Sequence, residues 1–322
     1  MLLMVMSRTR LFFATDLHGS CMTFMKFLNA ARHYGTDVLI LGGDLTGKYV
    51  VPIVQQPDDT YTADYLGNEH ILKTARERTA LEENLRNIGY YSYLTTLEEM
   101  TALQGDRQLV DAIFSKLMVE RVKEWVSLAE VRLKGSQVKC YINPGNDDRF
   151  AIDDTLRSSS TIMCPEGEVV WLDDAHEMIT SGWTNPTPWK SYRETTEEKL
   201  ADRFNQMISK VERIETCVFN LHAPPYRTMI DLAPDIDASF KPKVGSEIKM
   251  AHVGSRAVRE VIEKRQPLLG LHGHVHESNG FAKIGRTLCI NPGTEYSEGL
   301  LRGAIINLDY TKIKSYLLIT GV

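Results

Sequence analysis

Five short segments of the chain combine carboxylate, amide and imidazole groups at spacings suited to holding metal ions. In Thr15-Asp16-Leu17-His18-Gly19, Asp16 and His18 stand two apart, and in extended chain such side chains point the same way and can meet one ion. Leu41-Gly42-Gly43-Asp44-Leu45 offers a carboxylate whose two oxygens could bridge two ions, beside glycines that admit close backbone approach. Asn143-Pro144-Gly145-Asn146-Asp147-Asp148 presents an amide oxygen and two carboxylates on a tight turn. His222 precedes Ala223-Pro224-Pro225, where the prolines stop strand or helix and leave a rigid loop. His272-Gly273-His274-Val275-His276 is the most specific of the five, because three histidines within five residues are hard to explain by packing. Alone, the other segments have plainer explanations: a polar loop around Asp16 and His18, a cap at Asp44, a turn at Asn146 and Asp147. Their joint placement argues for chemistry, since each follows a run that reads as a buried strand.

Those strands are short and aliphatic: Thr9 to Ala14, Val38 to Leu41, Val138 to Ile142, Cys217 to Leu221 and Pro267 to Leu271. Each is followed by Gly, Asn, Asp or His, as expected for the buried strands of an α/β sheet, and the crevice beyond the carboxyl ends of such strands is where ligands bind. Ser20 to Tyr34 carries Met22, Met25, Leu28 and Ala31 at helical spacing. A second helix is expected over Thr195 to Val211, with Leu200, Phe204, Ile208 and Val211 on one face. The tail has four more strand-like runs, GFAKIG, TLCINPG, RGAIINLD and KSYLLIT, joined by short turns. They predict an antiparallel or mixed second sheet, packed face to face with the first and flanked by helices. Residues of about 49–135 interrupt this order as an insertion: a hairpin, then a long helical stretch from Ile71 to Leu133. The whole chain is expected to be one domain, with the insertion serving as a lid or a surface for self-association.

With 322 residues, 43% of them hydrophobic, the chain can bury a sizeable core. A net charge of -5 gives no broad attraction to nucleic acid or anionic membrane, although a local basic groove is compatible with it. The apolar run at Met1 to Met6 is too short for a signal peptide and no later run reaches membrane-spanning length, so a cytoplasmic protein is expected. The five cysteines show no paired spacing, which argues against a disulfide framework.

The ordered set D-x-H, G-D, G-N, an isolated His and G-H-x-H resembles the calcineurin-like metallophosphoesterases over nearly the whole chain outside the insertion. The resemblance implies a four-layer α/β/β/α sandwich and a centre of two divalent ions, of the Mn, Fe or Zn kind. It assigns Asp16, His18 and His276 to one ion, Asn146, His222 and His274 to the other, and Asp44 to both. One position departs from the pattern. Many members have His after G-N, where it helps the leaving group or contacts phosphoryl oxygens, whereas this chain has Asp147. Beside two cations an Asp stays ionised and makes a poor general acid at neutral pH. Asn146 and Asp147 remain the candidate catalytic residues. The resemblance to smaller bacterial members that also lack the His points to phosphodiesters.

The chemistry expected is attack by a hydroxide bridging two metals about 3.5 Å apart, with the ions neutralising the phosphoryl oxygens. The alternatives are a phosphomonoesterase or protein phosphatase, and a metal-binding scaffold that has lost catalysis. The segment Ser181 to Arg193 contributes Trp183, Asn185, Trp189 and Arg193 as candidate substrate contacts, able to stack on a ring and pair with an anion. They suit a small phosphoester, nucleotide-derived compounds included. His272 is expected beside the site without being a ligand, and His33, His70, His176 and His252 are expected to be structural or surface residues.

Overall fold

The computed structural model describes residues 9–237, 239–243 and 248–321. Of the apolar N-terminus, residues 1–8 lie outside this range. Two six-stranded sheets form the centre. Thr9–Ala14 sits inside the first, antiparallel to Arg302–Asp309 on one side and parallel to Val38–Leu41 on the other. Val38–Leu41 continues in parallel to Lys139–Ile142, and that strand to Ile162–Met163. In the second sheet Glu177–Ser181, Val218–Leu221, Leu269–Leu271 and Thr287–Asn291 run parallel to one another, with antiparallel edges at Val169–Trp171 and Gly280–Ile284.

Side-chain alternation explains why the sheets stack. Leu11, Phe13, Val38 and Ile40 point into a cluster shared with Met178, Val218, Leu269, Leu271 and Ile290 of the other sheet. Their neighbours Phe12, Ala14, Leu39 and Leu41 point the opposite way, onto Phe24, Phe27 and Leu28 of the helix Cys21–His33. On the far face of the second sheet, Phe219 and Leu221 meet Leu200 and Phe204 of Glu197–Ile208 and Val258 and Ile262 of Arg256–Arg265. Strands with apolar side chains on both faces must be covered twice, and helix, sheet, sheet, helix is the outcome.

Two expectations are corrected. The tail does not make a sheet of its own: Gly280–Ile284 and Thr287–Asn291 extend the second sheet, while Arg302–Asp309 and Lys312–Thr320 complete the first. The chain switches sheets because Ala304, Ile306 and Leu308 complete the apolar face of Thr9–Ala14, which would otherwise lie bare. The stretch from Ile71 to Leu133 is not one helical run. The hairpin Val50–Gln55 and Tyr61–Tyr65 grows into a four-stranded sheet, with Asn68–Leu72 on one side and Tyr91–Thr96, parallel to Val50–Gln55, on the other. Tyr91-Ser92-Tyr93-Leu94-Thr95-Thr96 is aromatic and β-branched, a strand composition wedged between helix formers. Three helices remain, Ala75–Asn87, Leu97–Gly105 and Arg107–Leu133. The last packs onto the first sheet's helix by stacking Trp125 on Phe24, centroids 4.1 Å apart. All five cysteines are free and four are buried. Among the described residues no helix is long and apolar enough to cross a membrane.

Candidate metal centre

The carboxyl ends of the parallel strands deliver the candidate ligands, and backbone hydrogen bonds zip their loops together. Asp16 N–H donates to the Gly43 carbonyl at 2.9 Å, His18 N–H to that of Asp44 at 3.0 Å, and Gly273 N–H to that of His222 at 2.9 Å. Asp16, His18, Asp44 and His274 all take left-handed backbone, with φ of 57°, 41°, 50° and 66°. Non-glycine residues seldom accept this conformation, and such strain collects at functional sites. Close packing explains two of the motif glycines: a Cβ at Gly145 would stand 2.2 Å from Asp44 Oδ1, and one at Gly273 2.4 Å from Asp16 Oδ2.

Two groups of ligand atoms result, each within 4.8 Å: Asp16, His18, Asp44 and His276 in one, Asp44, His222 and His274 in the other. Asp44 belongs to both. His18 Nε2 lies 3.0 Å from His276 Nε2, and His222 Nε2 lies 3.4 Å from Asp44 Oδ2 and 3.7 Å from Asp16 Oδ1. Asn146 Oδ1 sits 2.8 Å from His274 Nδ1, which adds the amide to the second group. Asp16, His18, Asp44, Asn146 and His222 are all buried.

This arrangement calls for positive charge. Burial opposes ionisation of Asp16, yet His222 and His276 bring it down to about 2, and Asp44 is held well below the usual carboxylate range against the same burial cost. Burial also disfavours a charged His222, but Asp44 and Asp16 pull it up to about 9. Burial drives His18 well below its ordinary value and His274 to about 4, so these rings keep lone pairs to offer. Neither ring nitrogen of the fully buried His222 has a hydrogen-bond partner. Buried polar atoms are almost always satisfied. Carboxylates, imidazoles and an amide converging on common points are a donor set that fits divalent cations of the Mn, Fe or Zn type.

Neighbouring groups orient this set. Asp148 is buried and accepts from the Leu45, Thr46 and Gly145 amides at 2.9, 2.8 and 2.8 Å, clamping the Asn146 turn to the Asp44 loop. Ser191 Oγ accepts from Asn146 Nδ2 at 2.7 Å and donates to Glu194 at 2.6 Å, which aims the amide oxygen at His274. His272 Nδ1 lies 2.8 Å from the Leu221 carbonyl, steadying the His222 loop without joining the ligands.

Asp147 is partly exposed and pairs with Lys48, whose Nζ is 2.6 Å from its Oδ2. Burial and Asp44 push the Asp147 carboxyl up to about 6 against the pull of Lys48, which leaves it ionised at neutral pH. Lys48, Ser191 and Tyr296, whose ring lies 4.8 Å from that of His18, escaped the sequence reading. The only hint was the run Gly-Asp-Leu-Thr-Gly-Lys, which keeps Lys48 close behind Asp44.

The centre opens on a cleft of about 1060 Å³ lined by Asp44, Asn146, His274 and His276 together with Lys48, Asn185, Trp189, Phe240 and His252. Of the four candidate substrate contacts, Asn185 and Trp189 reach this cleft and the other two do not. Arg193 is 1% exposed, and its guanidinium is spent on the Asp148 carbonyl and the Asp153 carboxylate. It braces the Asn146 turn from behind. Trp183 packs under Arg203, 4.0 Å from the ring centroid, and near Phe150. His252, expected among the structural or surface histidines, is exposed and lines the cleft.

No family model matches the chain. An uncharacterized protein of Methanocaldococcus jannaschii, MJ1162, is 32% identical over 151 residues, 46% of this chain, and the match spans 61% of that relative's length. A crystal structure aligned over 98% of this chain and 100% of its own has TM-score 0.61 at 16% identity. TT1561 of Thermus thermophilus aligns over 98% and 99% with TM-score 0.54 at 13% identity. The architecture is a mixed α/β sandwich with its candidate ligands at the strand ends. The chain shares its overall fold with these two structures, and its candidate ligands stand together at the carboxyl ends of the parallel strands.

Proposed function

We propose that the chain hydrolyses phosphoesters, diesters before monoesters, with two divalent metal ions held by Asp16, His18, Asp44, Asn146, His222, His274 and His276. The observation that carries the reading is the pair of ligand groups sharing Asp44 at the floor of an open cleft. Bound there, such ions supply charge to the phosphoryl oxygens and make a water acidic enough to serve as nucleophile near neutral pH. The rest falls to the protein. Asp44 and Asp16 neutralise the cations, Ser191 fixes Asn146, and the strained backbone holds the ligands in place before substrate arrives.

Asp147 keeps the Lys48 ammonium at the cleft wall, where it can pair with a phosphoryl oxygen. Mostly ionised at neutral pH and paired with Lys48, it makes a poor general acid. Asp147 in place of the His after G-N, a departure shared with the smaller bacterial members that the chain resembles, supports diesters. Asn185 and Trp189 provide an amide and an exposed indole for the remainder of a small phosphoester, a nucleotide-derived one included. The test is a comparison of bis(4-nitrophenyl) phosphate with 4-nitrophenyl phosphate on protein reconstituted with Mn²⁺ or Zn²⁺. The proposal expects a higher kcat/KM for the diester, and faster monoester turnover would contradict the preference. Activity that survives Asp44→Ala would overturn the metal-dependent reading as a whole.

A further inference from the structure

Asp231 and His252 form a second carboxylate–imidazole pair outside the ligand set. Asp231 is 0% exposed, and its carboxylate lies 2.8 Å from His252 Nδ1. It is locked in place by the amides of Arg227, Thr228 and Gly254, at 3.0, 2.8 and 3.1 Å. His252 itself is 37% exposed and lines the cleft with His274, His276 and Lys48. With Nδ1 engaged by Asp231, Nε2 is the nitrogen left for a substrate. Among the described residues the other histidines outside the ligand set are not on the cleft wall: His176 and His272 are fully buried on protein acceptors, and His33 and His70 do not line it.

The hairpin that carries this pair, Leu232–Pro234 with Met250–His252, is tied to both histidine loops of the centre. Ser278, two residues after His276, donates to the Leu232 carbonyl at 2.6 Å. Ser255, three residues after His252, bridges in parallel to Pro225, three residues after His222. Asn185 donates to the Val253 carbonyl at 3.1 Å, fixing the hairpin to the Trp189 loop as well. A buried carboxylate holding one nitrogen of an imidazole that lines the cleft is the arrangement of a proton-transfer pair.

We infer that His252, oriented by Asp231, protonates the leaving group of the ester, a duty left open by Asp147. This rests on the phosphoesterase reading above. In the step, a new P–O bond forms from the attacking water, whose proton passes to solvent, and the bond from phosphorus to the departing oxygen breaks with its electron pair on that oxygen; His252 is afterwards reprotonated from solvent. The proton on His252 Nε2 moves to that oxygen, leaving neutral imidazole with Nδ1–H still on Asp231. Among the described residues, the Asp231 carboxylate and the Tyr226 ring, 6.0 Å between centroids, stand against His252, and the Arg256 guanidinium lies over that Tyr226 ring at 5.1 Å.

The experiment follows the 4-nitrophenyl, phenyl and benzyl esters of methyl phosphate with the metal-loaded parent, His252→Asn and His252→Gln. General acid catalysis contributes roughly 10²-fold or more to a poor leaving group and little to a good one. The ratio of 4-nitrophenyl to benzyl turnover should therefore rise by about 10² in both variants. An unchanged ratio, or an equal loss on all three esters, overturns the assignment. Nitrogen NMR of the imidazoles in metal-stripped protein gives a second readout. The neutral His252 ring should carry its proton on Nδ1 in the parent and lose that preference in Asp231→Asn, whereas a parent ring protonated on Nε2 contradicts the pair. Loss of the phosphoesterase reading itself is seen separately, as Asp44→Ala protein that keeps its turnover.

Discussion

At the level of single residues, the centre depends as much on groups that aim the ligands as on the ligands. An Asn amide can present oxygen or nitrogen to an ion, and only the oxygen binds. Here Ser191 accepts the amide N–H and so settles the orientation, with Glu194 fixing the hydroxyl in turn. Removing such a supporting contact costs metal sites roughly 10- to 100-fold in affinity or activity. Ser191→Ala should lower the affinity for added Mn²⁺ by that order, measured by titration calorimetry, while Ser191→Thr keeps most of it. Equal affinity in parent and Ser191→Ala would remove the hydroxyl from the account. The candidate ligands were legible in the sequence because Asp16, His18, Asp44, Asn146, His222, His274 and His276 all fall within five residues of the end of a short aliphatic run. Ser191, Lys48 and Tyr296 were not, since no local pattern announces a contact made between distant parts of the chain. Arg193 was misjudged for the converse reason: its composition suits an anion, but its burial against Asp148 and Asp153 is a tertiary fact.

Elements hold the loops in place, and two of them do so at a distance. The helix Arg107–Leu133 stacks Trp125 on Phe24, donates from Trp125 Nε1 to Cys21 Sγ at 3.3 Å, and sends Arg121 to the Gly19 carbonyl next to His18. The insertion is therefore continuous with the core beneath the first ligand loop. Trp125→Ala should destabilise the protein by about 3–5 kcal/mol, the range for emptying a buried aromatic site. Denaturant unfolding checks this, and a change below about 1 kcal/mol would mean that the helix is only laid on the surface.

A second staple joins the two sheets away from the site. Asp173 lies 2.7 Å from His176 Nδ1 and accepts from Thr9, while His176 Nε2 lies 3.2 Å from the Asp309 carbonyl. Burial opposes ionisation of Asp173, but the His176 and Thr9 hydrogen bonds bring its carboxyl down to about 2. A carboxyl lowered on folding stabilises above its ordinary range, and the gain is lost as pH falls toward that lower value. Asp173→Asn should therefore cost roughly 2 kcal/mol near neutral pH and much less near pH 2. A penalty that is independent of pH in denaturation curves would contradict the ionised staple. The strand Tyr91–Thr96 shows where element reading stops: its composition was strand-like, but helix formers on both sides hid a six-residue partner for Val50–Gln55. The hairpin beside it was visible because both of its strands are contiguous in sequence.

For the molecule as a whole, the four layers follow from apolar alternation on Thr9–Ala14 and Val38–Leu41, so the architecture was readable from the chain. The allocation of the tail was not, because Arg302–Asp309 and Thr287–Asn291 are equally apolar and only the uncovered face of Thr9–Ala14 decides where each goes. The cleft is likewise assembled from distant parts: the Lys48 loop, the Trp189 loop and the His252 hairpin meet over the centre although the last two are separated by the helix Glu197–Ile208. The central claim is that two divalent ions at this floor are needed for phosphoester hydrolysis. The most direct measurement is turnover of bis(4-nitrophenyl) phosphate by metal-stripped protein as Mn²⁺ is added in measured equivalents. The account predicts no turnover in the stripped protein and a rate that rises to a plateau at two ions per chain. Full turnover without added metal in the presence of chelator, or a plateau reached at a single ion, would contradict it.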